Sequence, residues 1–227
     1  MKRLLLILAI CIGCLGAPLG GYAQEETYKF DVGAQLGMSG YLGEANSNLL
    51  KHPGFSAGLS ARYLINTRWT LRAVFNTLSL SGDTADYDNY YPNGEQYSFK
   101  GQAYDLGFRG ECNFFAYGIG ETYKKLRRWS PYLTIGIGFT LATCDGINSF
   151  APNIPMGIGL KYKLSERWNL GAEFTMTKVF GDKVDGELTD LYQIKSSFAK
   201  NTDWYSNFCI SITYEFGKRC VTCHYVD

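Results

Sequence analysis

Nine ionisable residues share one phase of a two-residue rhythm, and their types could do chemistry together. Asp31, Arg62, Arg72, Asp105, Arg109, Glu111, Lys161, Glu173 and Glu215 all fall on the polar side of stretches in which polar and apolar residues alternate. Carboxylates paired beside cations are the raw material of acid–base catalysis. They are equally the material of a buried ion-pair network. Nucleophilic hydrolysis would need a serine, a histidine and an acid together. The chain has two histidines, His52 and His224, and both lie in stretches that read as loop or tail. The expectation is a structural network and no enzyme. Arg62 and Arg72 flank a tight turn and are expected to face each other, so acids must lie nearby, with Asp31, Asp105 and Glu111 as candidates on flanking strands.

A second constellation sits at the end of the chain. Cys220-Val221-Thr222-Cys223-His224 matches the pattern for covalent c-type haem attachment and half of a metal site. Haem would need an enclosing pocket, and a four-ligand zinc site would need partners that no nearby residue supplies. No cofactor is expected. Cys220 and Cys223 read as thiols of a short tail that either pair with each other or join a partner.

The elements that must position these residues follow from the rhythm itself. Tyr28, Phe30, Val32, Ala34, Leu36 and Met38 alternate with Lys29, Asp31, Gly33, Gln35, Gly37 and Ser39. Period two means strand, because successive side chains leave opposite faces of a pleated backbone. Such stretches recur eight times. The expected strands start at about Thr27, Phe55, Trp69, Tyr97, Leu133, Ile154, Trp168 and Phe208. The polar stretches from Ser81 to Gln96, Thr143 to Asn153 and Phe180 to Asp203 read as loops. Two hairpins echo each other, each with a short polar turn followed by Arg-Trp, at Arg68-Trp69 and Arg167-Trp168. A tryptophan there suits the edge of a bilayer.

Export is written at the start of the chain. Lys2 and Arg3 precede a nearly all-apolar run from Leu4 to Leu15, and Gly21-Tyr22-Ala23 offers small residues for cleavage before Gln24. Residues 1–23 are therefore expected to be a signal peptide, 24–217 a barrel and 218–227 a C-terminal tail. No later run of 18 apolar residues offers a spanning helix, which does not exclude strands that cross by alternation. Without Lys2 and Arg3 the 22 basic residues fall to 20 against 21 acidic ones, so charge makes no case for nucleic acid.

Alternation alone does not separate a membrane barrel from a water-soluble one with an apolar interior. The glycines do. Gly33, Gly37, Gly58, Gly107, Gly136, Gly138, Gly157, Gly159 and Gly171 fall on the polar side, as expected for a crowded lumen that also holds long charged side chains. The fold expected is an all-β, eight-stranded antiparallel transmembrane barrel of the outer membrane. Eight strands put both termini on one side, the periplasm, with lipid against the apolar face.

Two segments carry a resemblance. Asp31-Val32-Gly33-Ala34-Gln35-Leu36-Gly37-Met38-Ser39-Gly40-Tyr41-Leu42-Gly43-Glu44-Ala45-Asn46 and Asn153-Ile154-Pro155-Met156-Gly157-Ile158-Gly159-Leu160-Lys161-Tyr162-Lys163-Leu164 resemble the DUF6089-type outer-membrane barrels of Bacteroidota, which are related to the PorG barrel of type IX secretion. The ending Tyr214-Glu215-Phe216-Gly217-Lys218-Arg219-Cys220 is similar too. Val179-Phe180-Gly181-Asp182-Lys183-Val184-Asp185-Gly186 only partly echoes the family's acidic, aromatic loop segment. The resemblance implies a non-enzymatic structural or interaction role, with partners among periplasmic ring or lipoprotein subunits. Lys124, Lys125, Arg127, Arg128 and the tail from Lys218 would then be the reachable docking surfaces. The competing expectation is a narrow OmpW- or OmpX-like barrel passing small or apolar solutes.

Overall fold

The computed structural model describes residues 28–42, 53–83, 98–119, 126–144, 147–180 and 204–218. Eight strands follow in order: β1 (Tyr28–Leu42), β2 (Gly54–Leu64), β3 (Trp69–Asp83), β4 (Ser98–Asn113), β5 (Trp129–Cys144), β6 (Ile147–Lys163), β7 (Trp168–Val179) and β8 (Trp204–Lys218). Each is hydrogen-bonded antiparallel to the next, and the sheet closes into a barrel. Among the described residues no helix is long and apolar enough to cross a membrane. The signal segment 1–23, Lys124, Lys125, Cys220 and Cys223 lie outside the described residues.

The alternation is expressed inside out. Phe108 and Ile137 are 68% and 69% exposed, whereas Asp105 and Glu111 are fully buried. A water-soluble barrel would reverse these, because apolar surface leaves water and charge stays in it. An apolar belt around a polar interior is the arrangement of a membrane barrel. At Gly33 and Gly37 of β1 an added Cβ would collide with the carbonyl oxygens of Ile212 and Phe208 on β8. These positions therefore exclude a side chain where the first and last strands meet, and Phe30 stacks on Phe216 outside the same seam at 5.6 Å.

Two expected loops are corrected. Ser81, Gly82 and Asp83 are not loop but the end of β3, paired with Lys100, Phe99 and Ser98. Thr143 to Asn153 is not a loop: β5 runs through Cys144 and β6 begins at Ile147, paired from Gly138↔Asn153 up to Cys144↔Ile147. Only Asp145 and Gly146 stand between the strands, a residue pair that tight two-residue hairpins favour. Outside, Phe139 stacks on Phe150 at 5.2 Å. Cys144, expected in a loop, is a buried residue of β5.

The extended hairpins show that the wall reverses polarity near the end that carries the connections after β1, β3, β5 and β7. Register aligns Ser79 with Gln102, Gln102 with Thr143 and Thr143 with Asn148. This row faces outward and is polar. The inward residues beside it, Leu78, Leu80, Ala103, Ala142, Cys144 and Ala151, form an apolar cluster with Tyr41, Val179 and Tyr205. One step lower, the outward row contains Tyr104, Leu141 and Phe150, each exposed. Lipid-type and water-type walls therefore meet between these two rows.

Candidate functional site

The lumen is the part of the molecule where charges converge. All nine ionisable residues on the polar phase point into it and are at most 7% exposed. Arg62 on β2 stands opposite Arg72 on β3, as the tight turn requires, and Arg72 stands opposite Arg109 on β4. Three like charges in one ladder would repel strongly in a low dielectric without acids among them. Glu111 supplies one: it meets Arg62 at 3.2 Å, Arg72 at 3.0 Å and Lys161. Glu173, on β7 across the barrel, supplies the other, with Arg72 at 2.6 Å and Arg109 at 3.3 Å. Asp31 holds Arg62 at 3.2 Å and Asp105 holds Arg109 at 2.9 Å.

Lys163 completes the set and was not anticipated. It directly precedes the β6–β7 turn, but its phase with Lys161 points it inward, where it reaches both oxygens of Glu215 at 2.7 Å. Five cations (Arg62, Arg72, Arg109, Lys161, Lys163) thus face five carboxylates (Asp31, Asp105, Glu111, Glu173, Glu215). Asn169 joins the two parts of the network by donating to Asp31 and to Glu215 at 3.2 and 2.9 Å. Tyr132 donates to Glu173 at 2.5 Å.

The interior changes along the axis. Above the charges lies a layer of amides. Asn153 donates to Asp105 and Thr140, Asn76 donates to Asp105, and Gln35 donates to Asn76. Ser56 donates to Asn207 at 2.7 Å in the same layer. Tyr205, hydrogen-bonded to Thr140 at 3.2 Å, leads from the amides into the apolar cluster. On β3 the gradient reads directly as Arg72, Val74, Asn76, Leu78, Leu80.

At the opposite end, that of the short turns, the connection between β4 and β5 folds back over the mouth. Tyr117 pairs with Arg127 as a parallel bridge, and its backbone N–H donates to Thr67 at 3.2 Å. Its hydroxyl donates to Asn169 at 2.7 Å, so the phenol caps the charge network. Burial, helped by the carboxylates of Glu215 and Asp31, raises the Tyr117 phenol well above its ordinary value and keeps it a neutral donor. Of the four basic residues of this connection, Arg127 and Arg128 are exposed, and Arg127 lies over the Phe115 ring at 4.2 Å.

Chemically, each of the five lumenal carboxylates is engaged by a cation in the wall, while the Thr213 and Thr175 hydroxyls donate to Asp31 and Glu173 and Cys209 stands opposite Glu173. Among the described residues no three His, Cys, Asp or Glu side chains converge to hold a metal. Cys209 is buried in the lumen wall and Cys112 is half-buried on β4. The phase of alternation was the signal for the nine charges. Tyr132, Tyr117 and the apolar cluster had weaker signals, because aromatic and aliphatic residues are also the ordinary content of a lipid-facing wall.

This geometry defines a small closed membrane-type β-barrel whose lumen is filled by its own side chains. The chain belongs to the family described as Domain of unknown function (DUF6089), whose model matches residues 20–225. No curated protein matches it. Among solved structures it is similar to Neisserial surface protein A, with 16% identity over 82% of this chain and 97% of that one, at a TM-score of 0.54. It is also similar to a major outer membrane protein from Thermus thermophilus, with 14% identity over 84% of this chain and all of that one, at a TM-score of 0.49. OprG from Pseudomonas aeruginosa matches with 10% identity over 87% of this chain and all of that one, at a TM-score of 0.47.

Proposed function

We propose that this chain is exported by its first 23 residues, resides in the outer membrane with both termini in the periplasm, and acts there as a non-enzymatic structural or interaction protein. The observation that carries this reading is the filled lumen. Ion pairs cross it, Tyr117 caps one end and the apolar cluster with Tyr41 and Tyr205 fills the other. A solute would have to displace buried charge pairs, whose rupture costs roughly 3–5 kcal/mol for each one broken. The working surfaces are then outside the lumen. The family resemblance to barrels related to PorG of Bacteroidota makes a component of type IX secretion the most specific version. The basic connection containing Lys124, Lys125, Arg127 and Arg128 would dock an acidic face of a periplasmic ring or lipoprotein subunit, and the tail from Lys218, with the Cys220 and Cys223 thiols, offers a second contact.

The test is native purification from the outer membrane. Partner subunits are expected to co-purify, and to be lost when Lys124, Lys125, Arg127 and Arg128 are all replaced by Glu while the barrel keeps its heat-modifiable gel mobility. Unchanged recovery would remove this docking surface. Planar bilayers should stay silent, and steady single-channel conductance would favour the solute-passage alternative instead.

A further inference from the structure

The outer rim at the short-turn end repeats one device three times. Besides Arg68-Trp69 and Arg167-Trp168, the chain carries Arg128-Trp129, so β3, β5 and β7 all begin on tryptophan just after an arginine. The backbone repeats with the sequence. The carbonyl of Arg68 accepts from the N–H of Asn113 at 2.7 Å, that of Arg128 from Lys163 at 2.7 Å, and that of Arg167 from Glu215 at 2.8 Å. Each arginine is therefore the last paired position of its seam. Register places the tryptophans one step inward, opposite Cys112, Tyr162 and Tyr214. Trp129 and Trp168 are 44% and 45% exposed on the apolar belt.

Among the described residues the three arginines form no ion pair, although exposed Glu166 directly precedes Arg167. All three are exposed, and among the described residues none has a carboxylate within ion-pair distance, while the carboxylates of the lumen are held by the lumenal cations. One of them is fixed in place. Arg167 donates through Nε to the Tyr28 hydroxyl at 2.9 Å and through Nη1 to the Tyr214 hydroxyl at 2.8 Å, and Trp168 packs edge-on against Tyr214 at 5.1 Å. Two hydroxyl acceptors hold the exposed guanidinium and leave its other N–H groups with no partner among the described residues. A guanidinium fork matches a phosphate, and tryptophan and tyrosine mark the depth at which headgroups lie.

We infer that Arg68, Arg128 and Arg167 form an anionic-phospholipid site on the outer rim of the short-turn end, in which each guanidinium takes a headgroup phosphate and its neighbouring tryptophan lies beside the acyl chain. The complement is a lipid because the cations stand one residue beyond the tryptophan row, where the phosphates of a leaflet lie when its chains cover the apolar belt. Net negative headgroups such as phosphatidylglycerol are preferred, since the three arginines outnumber the exposed acid described beside them, Glu166, which forms no ion pair with them. Arg167 is the positioned member, and Tyr28 and Tyr214 are positioning residues. The inference rests on the membrane placement; Arg128 is shared with the proposed docking segment, so Arg68 and Arg167 alone carry the test.

The test uses tryptophan emission from the full barrel folded into phosphatidylcholine vesicles. A minor fraction of lipid carries brominated chains, either as phosphatidylglycerol or as phosphatidylcholine. Wild-type protein is quenched more by brominated phosphatidylglycerol at equal mole fraction. R68Q/R167Q lowers that excess by about fivefold per arginine removed. Arg128 stays in place, so the proposed docking segment is untouched. Because the double variant could fail to fold, R167Q alone and Y28F/Y214F are measured beside it, each checked for folded gel mobility, and both are expected to lose part of the excess. Equal quenching by the two lipids in wild type, or a full excess in the folded variants, overturns the site. Loss of the excess on adding inorganic phosphate at matched ionic strength assigns the rim to free phosphate and overturns the lipid reading. Absence of quenching by either lipid overturns the membrane placement itself, and with it this inference.

Discussion

Glu111 is the residue on which the lumen depends most. It is fully buried and meets three of the five cations, one of which, Lys161, also lies over the Tyr132 ring at 4.4 Å. Replacing it by glutamine leaves five cations against four carboxylates in a space that water does not reach. Removing one partner of a buried network costs about 3–5 kcal/mol, mostly as the penalty on the charges left behind. E111Q should lower the urea midpoint of the vesicle-folded barrel accordingly. E111Q/K161M restores the balance and should recover part of the loss, a coupling of about 0.5–3 kcal/mol. Equal midpoints for the single and double variants would show that charge balance is not what the network provides. Tyr117 makes a second prediction with a sign. Its phenol is raised in the folded state above the ordinary 10.0. The unfolded chain therefore gains from ionising first, so the contribution of this group is complete below that value and falls as pH rises above it. Y117F, which lacks the ionisable group and the bond to Asn169, should start about 1 kcal/mol less stable at neutral pH. It should then lose less than wild type in alkali, as read by unfolding midpoints on both sides of pH 10.

At the scale of the strand, small residues decide where large ones go. Tyr132 on β5 stands opposite Gly159 on β6, and a Cβ at Gly159 would come within 2.4 Å of the Tyr132 ring, at its hydroxyl end. The ring lies over the glycine and carries its hydroxyl to Glu173. G159V should therefore push Tyr132 off its acceptor and add overpacking, about 1–3 kcal/mol in total. Y132F removes the hydrogen bond alone and should cost less, about 1 kcal/mol. The two midpoints, measured in the same vesicles, separate space from bonding. The same pair shows what the sequence could and could not convey. Alternation placed Gly159 on the inner face with no further information, because the period of a strand is two whatever the side chains are. It did not say that an aromatic from the neighbouring strand occupies the room. The β5–β6 hairpin makes the complementary point. Thr143 and Asn148 broke the apolar-outward pattern and therefore read as loop, yet they pair on the outer face while Ala142 and Cys144 turn inward. Asp145-Gly146 was the available signal, and a connection of two residues leaves no room for an eleven-residue loop.

The reversal matters most for the whole molecule, because it marks where the wall leaves lipid. From the tryptophan row at the short-turn end to the row of Tyr104, Leu141 and Phe150, outward side chains are largely apolar. That is the reach of about ten residues per strand that a bilayer core requires. Beyond it, Ser79, Gln102, Thr143 and Asn148 face out and the apolar cluster faces in, as in a barrel standing in water. The sequence reading of charge inside and grease outside was thus right for the embedded band and does not extend to its protruding end. This yields a test of both boundary and direction. Cysteines introduced as S79C and Q102C should react with a membrane-impermeant maleimide on intact cells, if the proposed periplasmic placement of the termini holds. I135C, on the apolar belt, should react only after detergent, since lipid covers it. The parent protein, with its native cysteines, sets the background. Reaction at I135C equal to that at S79C would mean that the belt faces water, and the membrane reading would fall. Reaction at S79C and Q102C only after the outer membrane is permeabilised would keep the barrel in the membrane but turn it over. The basic connection after β4 would then face the medium, and a periplasmic docking role for Arg127 and Arg128 would be geometrically impossible.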